Sequence, residues 1–205
     1  MISCNIALKE WAVTLCALNE GRQIVLLRKG GLLDPATETS AAGTFAIEYS
    51  NFWLMPTFLH QDTKLVRPEH RDLFERAQSL RRAGEKQFLA LQTWAHVEQV
   101  WNFGDEDEER LLRAPHIWSR DYLDVRFVYK PEAPLLCAAL RVYQLTEPYF
   151  VPMQPQFAGC RSWLELGQDL SLKNARPVLS DEQFGQQLAV FESAIEYSIG
   201  ALASD

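Results

Sequence analysis

The sequence predicts one α+β domain on a mixed or antiparallel sheet, open or curled into a partial barrel and packed with helices. Three observations carry this. The 205 residues are 47% hydrophobic and 23% charged, the profile of a chain that buries its own core without disulfide or zinc staples. Short apolar runs and stretches of helical periodicity both occur, without the regular alternation of a doubly wound parallel sheet. No linker, repeat or low-complexity tract divides the chain, so residues 1–205 read as a single domain.

In chain order, residues 6–18 place Ile6, Leu8, Trp11, Ala12, Leu15 and Leu18 near helical spacing, and Gly21 offers a stop. This predicts an amphipathic helix, with a strand from Val13 as the alternative. The nearly continuous apolar run 23–28 reads as a buried strand ended by Lys29-Gly30-Gly31. Residues 32–43 form a long loop of Asp, Pro, Thr, Ser, Ala and Gly. Residues 44–49 and 51–54 predict two strands, with Pro56 closing the second. Residues 69–83 carry Leu73, Phe74, Ala77 and Leu80 as one stripe of a surface helix.

Residues 88–94 look like a strand. The acidic run 105–109 suits a helix first turn, with Glu106–Arg110 and Glu109–Arg113 as i,i+4 pairs, and Pro115 is the stop. Ser119 can cap a short helix to about 127. The run 135–145 is the clearest strand, and the prolines and glycine of 148–159 predict an irregular connector. Ser180-Asp181-Glu182-Gln183 fits a capping box opening a C-terminal helix over about 181–199.

The balance is acidic, with 27 Asp plus Glu against 20 Lys plus Arg and a net charge of -7. This excludes a wholly basic coat for nucleic acid but not a local basic patch. Cys4, Cys16, Cys137 and Cys160 form no C-x-x-C pair and match no zinc framework. Cys16 and Cys137 read as buried small hydrophobes, and a reducing compartment follows. With neither a secretory signal nor a membrane-spanning run, a cytoplasmic protein is expected. There is no Walker A loop, G-x-G-x-x-G, H-E-x-x-H or G-x-S-x-G elbow. No motif names a cofactor, and no metal site is expected.

Four segments bear candidate chemistry, each with a plain structural reading beside it. Arg28-Lys29-Gly30-Gly31 sets two cations beside two glycines, so side chains and amides can approach a phosphate together; it is otherwise a strand end and turn. Asp62-Thr63-Lys64, after His60, has the acid-x-lysine spacing of a metal-dependent nuclease. With 27 acids and 6 lysines in 205 residues, chance alone supplies about one such pair. Trp118 and Tyr122, four apart with Arg126 beyond, offer stacking rings beside a cation, or else anchor a helix in the core. Cys160 and Arg161 lie in a Gly-Cys-Arg-Ser-Trp run, where a nucleophilic cysteine would need a base such as His116 or His60.

Successive blocks of the chain are similar to those of a known family. They are Ala7-Leu8-Lys9-Glu10-Trp11-Ala12, Ile24-Val25-Leu26-Leu27-Arg28-Lys29-Gly30-Gly31 and Leu54-Met55-Pro56-Thr57-Phe58-Leu59-His60-Gln61, then His116-Ile117-Trp118-Ser119, Leu140-Arg141-Val142-Tyr143 and Gly159-Cys160-Arg161-Ser162-Trp163. Over about residues 7–166 the chain resembles the domain-of-unknown-function 1802 family, while the C-terminal helix is less distinctive. That resemblance implies a link to DNA restriction or modification, through the restriction-endonuclease-like domains that accompany related proteins. It assigns no chemistry to any residue, and this chain has no room for an extra nuclease domain.

The leading expectation is a non-catalytic binding module for nucleic acid or a phosphorylated ligand. Arg28, Lys29, His60, Trp118, Arg126 and Arg161 would line its site, cations holding phosphate and aromatics stacking a base. The alternatives are a Mg²⁺-dependent phosphodiesterase using Glu48 or Asp62 with Lys64, and a protein-interaction or structural protein whose acidic surface meets a partner.

Overall fold

A computed structural model describes residues 3–30, 45–80, 87–159 and 161–196. Within them, seven strands form one mixed sheet: β1 (Ser3–Trp11), β2 (Val25–Arg28), β3 (Asn51–Thr57), β4 (Phe88–Phe103), β5 (Leu135–Pro152), β6 (Trp163–Ser171) and β7 (Ala175–Pro177). The order is β2-β5-β4-β3-β1-β6, with β7 added to β5. Only β1 and β3 run parallel; the other ladders are antiparallel. Five helices pack on this sheet: α1 (Ala12–Asn19), α2 (Leu73–Ser79), α3 (Glu108–Arg113), α4 (Arg120–Val128) and α5 (Asp181–Glu196). The α+β class and the mixed sheet are as the sequence predicts.

The curl of the sheet follows from two-sided burial. Along β5, Leu135, Cys137 and Ala139 face the helices, while Leu136, Ala138, Leu140 and Val142 enter a second core. That second core also takes Ile6 and Leu8 from β1, Leu26 from β2 and Phe52 and Leu54 from β3. Strands far apart in the order thus share one interior, and Leu15 and Leu18 of α1 join it. Register shifts in the β4–β5 ladder, between Leu91 and Thr93 and between Val97 and Gln99, let this long hairpin bend. The sheet stays open, because no ladder among the described residues joins β2 to β6.

Several elements differ from expectation. Residues 6–18 are a strand followed by a helix: β1 ends at Trp11 and α1 begins at Ala12. Residues 45–49 form no strand; Phe45 instead stacks on Trp163, with centroids 5.7 Å apart and planes at 16°. The expected surface helix is a 3-10 turn (Pro68–His70) followed by α2, and 81–83 lie outside the described residues, as does the loop 32–43. The connector from 148 is strand as far as Pro152. Ser119 does not cap α4 with its side chain; its hydroxyl donates to the Lys64 carbonyl at 2.7 Å. Arg110 pairs with Asp107, and Arg120 bridges Glu108 and Glu109.

The capping box of α5 is present. The Ser180 amide donates to Gln183 Oε1 at 2.9 Å, and the Gln183 amide to Ser180 Oγ at 3.2 Å. Arg141, 6% exposed, donates to the Ser180 carbonyl, pairs with Asp181 and lies 4.9 Å from the Phe184 ring centre. Replacing Ser180 by Ala is expected to cost about 1 kcal/mol in urea unfolding. An unchanged midpoint would mean the box adds nothing to the Arg141 anchor.

Candidate functional site

The junction of β1 and α1 organises the site. Glu10 is only 4% exposed, at the end of β1. Its Oε1 accepts from the Trp11 amide at 2.7 Å and the Thr14 hydroxyl at 3.3 Å. Gln61 accepts from the Val13 amide at 2.9 Å, so two side chains satisfy the start of α1. His60, at φ 60, makes the left-handed turn just before Gln61.

Arg28 ends β2 and spans the gap that the open sheet leaves. Its Nη1 lies 3.0 Å from Glu10 Oε2 and donates to the Lys9 carbonyl at 3.2 Å. Its Nη2 donates to Ser162 Oγ at 2.6 Å, at the approach to β6. The β2 edge is therefore joined to β1 and to the β6 approach by one guanidinium.

Above this bridge lies a cleft of about 310 Å³, lined by Lys9, Trp11, Arg28, Lys29, Gly30, Thr57, Leu59, His60, Arg126, Gly159, Arg161 and Ser162. Lys9 Nζ donates to the Phe157 and Gly159 carbonyls at 2.8 Å each. Gly159 has φ 84, a conformation that favours glycine. Lys29 is 5% exposed, and burial draws its pKa below the ordinary lysine value. Arg126 lies over two rings, 5.3 Å from the Trp11 centre and 4.8 Å from that of Tyr122. Arg161 is exposed at the rim. Among the described residues, neither Arg126 nor Arg161 makes an ion pair, and the lining contains no Asp or Glu.

Five of the six expected site residues thus come to one cleft: Arg28, Lys29, His60, Arg126 and Arg161. Trp118 does not. It is 1% exposed, stacks on Tyr122 at 4.0 Å and meets Trp11 edge-on at 5.6 Å. It is too deep to stack a base and backs Trp11, which is the ring on the cleft wall. Among the lining residues that sequence reasoning missed, Lys9 is the charged one and Trp11 the aromatic one. Their signal was a polar Lys-Glu pair interrupting an apolar run, hidden by reading that run as a helix.

A buried polar lattice sets α4, and with it Arg126. His116 Nε2 donates to the Leu111 carbonyl at 2.7 Å, and Nδ1 accepts from the Trp118 amide at 3.1 Å. Gln23 accepts from the Ile117 amide at 2.9 Å. Arg67 donates to the carbonyls of Leu112, Ala114 and Trp118, closing the end of α3. With both ring nitrogens of His116 so occupied, it is no base for a cysteine, and Cys160 lies outside the described residues.

The acid-x-lysine segment has a local role. Asp62 Oδ1 accepts from the Lys64 amide at 2.9 Å, capping a 3-10 turn (Thr63–Leu65) with both residues exposed. Glu48 stands elsewhere, in a second hollow that shares Arg161. Among the described residues no three His, Cys, Asp or Glu side chains gather to hold a metal ion.

A family model described as "Domain of unknown function (DUF1802)" matches residues 7–189. The chain belongs to the DUF1802 family. The match runs past residue 166 and ends at residue 189, within α5. No curated protein matches the chain. Crystal structures of two point mutants of ZmASCH from Zymomonas mobilis are similar to it at 12% identity, with TM-scores of 0.38 and 0.40. They cover 90% and 92% of this chain and 96% and 98% of their own. A likeness at those scores says nothing of what the DUF1802 cleft holds.

Proposed function

We propose that this DUF1802 chain is a non-catalytic binding module for nucleic acid or a phosphorylated ligand, and that the basic cleft is its site. One observation carries the reading. A chain of net charge -7 gathers Lys9, Arg28, Lys29, Arg126 and Arg161 around one cleft with no carboxylate in the described lining. Converging cations repel one another; among the described residues Glu10 pairs with Arg28, and Glu132 and Asp105 act on Lys29 through space. A phosphate group relieves that repulsion and accepts the guanidinium donors in pairs. Gly30 and Gly159 carry no side chain where the anion would approach.

The cleft volume lies at the low end of ligand sites, roughly 300–1,000 Å³, which suits one nucleotide unit. Trp11, held by Trp118 and Tyr122, offers a ring face for a base. The family link to DNA restriction and modification is proposed as context, in the cytoplasm, where Cys4, Cys16 and Cys137 stand as free thiols. No helix among the described residues is long and apolar enough to cross a membrane.

The test is fluorescence anisotropy of labelled single-stranded DNA, duplex DNA and RNA at low and physiological salt, with and without Mg²⁺. Saturable binding that weakens with salt is expected for at least one of them. Absence of binding to all three at low salt removes nucleic acid as the ligand. A Mg²⁺-dependent fall of anisotropy with time contradicts the non-catalytic reading.

A further inference from the structure

Lys29 differs from the other cations of the cleft. It lines the wall although it is 5% exposed. Its Nζ lies 3.4 Å from the Phe127 carbonyl oxygen and 5.7 Å from the centre of the Phe127 ring. Among the described residues no carboxylate forms an ion pair with it. Glu132 and Asp105 favour its charge through space and Arg126 opposes it, but burial outweighs them all and lowers its pKa. Lys9, the other amine of the cleft, is tied to two carbonyls at 2.8 Å each.

We propose that Lys29 is a nucleophilic amine that forms an imine with the carbonyl carbon of an aldehyde- or ketone-bearing phosphate held in the cleft. This rests on the reading of the cleft as a phosphate site. Arg126 and Arg161, without ion-pair partners among the described residues, hold the phosphate. Nζ, once it has given its ammonium proton to solvent, attacks the carbonyl carbon, forming the C–N bond, and one of its two remaining amine protons passes to the oxygen. The carbinolamine then loses water, made of that oxygen and both amine protons, to leave the C=N bond. No oxidant or reductant is consumed. A lysine shielded from water in the lining of a cleft that holds an anion is the kind of amine that does this chemistry.

The experiment uses the full chain with pyridoxal 5′-phosphate as the probe, borohydride to trap the imine as a secondary amine, and peptide mapping of the six lysines. Lys29 is expected to carry roughly ten times the label of exposed Lys64 or Lys173, as a desolvated amine beside an anion site should. Pyridoxal without its phosphate should label Lys29 no better than the exposed lysines, inorganic phosphate should protect it, and Lys173→Arg should leave its labelling unchanged. The wild-type map needs no variant to fold, and Lys29→Arg should remove the cleft label. Label spread evenly, or on Lys9, with salt-sensitive nucleic-acid binding intact, overturns the amine role alone. Phosphate-independent labelling together with no nucleic-acid binding overturns the reading of the cleft beneath it.

Discussion

Arg28→Met is expected to lower stability by about 3–5 kcal/mol, because it leaves the Glu10 carboxylate buried without its counter-charge. That is a large share of the roughly 5–15 kcal/mol that holds a domain folded. The same change removes the donor to Ser162 and so loosens β2 from the approach to β6. Glu10 keeps its bonds from the Trp11 amide and Thr14, so Glu10→Gln alone is the milder change. The double variant Arg28→Met/Glu10→Gln is expected to recover part of the loss, with a coupling of about 1–3 kcal/mol in a double-mutant cycle by urea unfolding. Strict additivity of the two single changes would show that Arg28 does not bridge the sheet edges through Glu10.

His116 makes the second large effect, in acid. Burial pulls its pKa down to about 3, and the nearby Arg67 cation acts the same way. The unfolded chain takes up a proton as pH falls through about 6.5, while the folded chain stays neutral there until about 3. The unfolded state thus binds more protons in that window, and stability falls with pH. From this residue alone, the loss between pH 7 and pH 5 is about 2 kcal/mol. His70, also lowered by burial, acts in the same direction. His116→Asn keeps an acceptor for the Trp118 amide, so it isolates the residue. It is expected to be less stable at pH 7 and to lose about 2 kcal/mol less than wild type on going to pH 5. Equal losses in both proteins would place the acid sensitivity elsewhere.

What the sequence made legible follows the range of the forces involved. The Ser180–Gln183 box rests on hydrogen bonds three residues apart, and it is found where expected. The run at β5 is apolar on both faces because two cores flank it, so it reads as strand without any knowledge of its partners. By contrast, α1 is buried nearly all round and presents no polar face. Its apolar residues merge with those of β1, and the strand-to-helix switch at Trp11 has neither glycine nor proline to mark it. β6 carries little signal in the sequence, because Leu164 and Leu166 alternate for only a few residues before Gly167. β7 has three residues, one of them proline, and exists only through its ladder with β5.

The cleft divides in the same way. The residue types were readable, since arginine, lysine and glycine together suit an anion. Their convergence was not, because it depends on an Arg28 bridge across 134 positions of sequence and on a lattice around His116 that sets α4. Trp118 shows the limit of reading type without depth: an aromatic beside an arginine in sequence is, in the fold, the backing of another ring.

Binding of phosphate by the cations of this cleft underlies the proposed function. The most direct measurement compares wild type with Arg126→Ala/Arg161→Ala for binding of labelled single-stranded nucleic acid across a range of salt. Neither residue takes part in an ion pair among the described residues, but Arg126 packs on Trp11 and Tyr122, so a urea unfolding curve of the variant separates lost binding from lost packing. The variant is expected to bind at least tenfold more weakly at low salt, with a salt slope shallower by about 0.7 for each phosphate no longer neutralised. Equal affinity and equal slope in the two proteins would contradict phosphate binding by these cations.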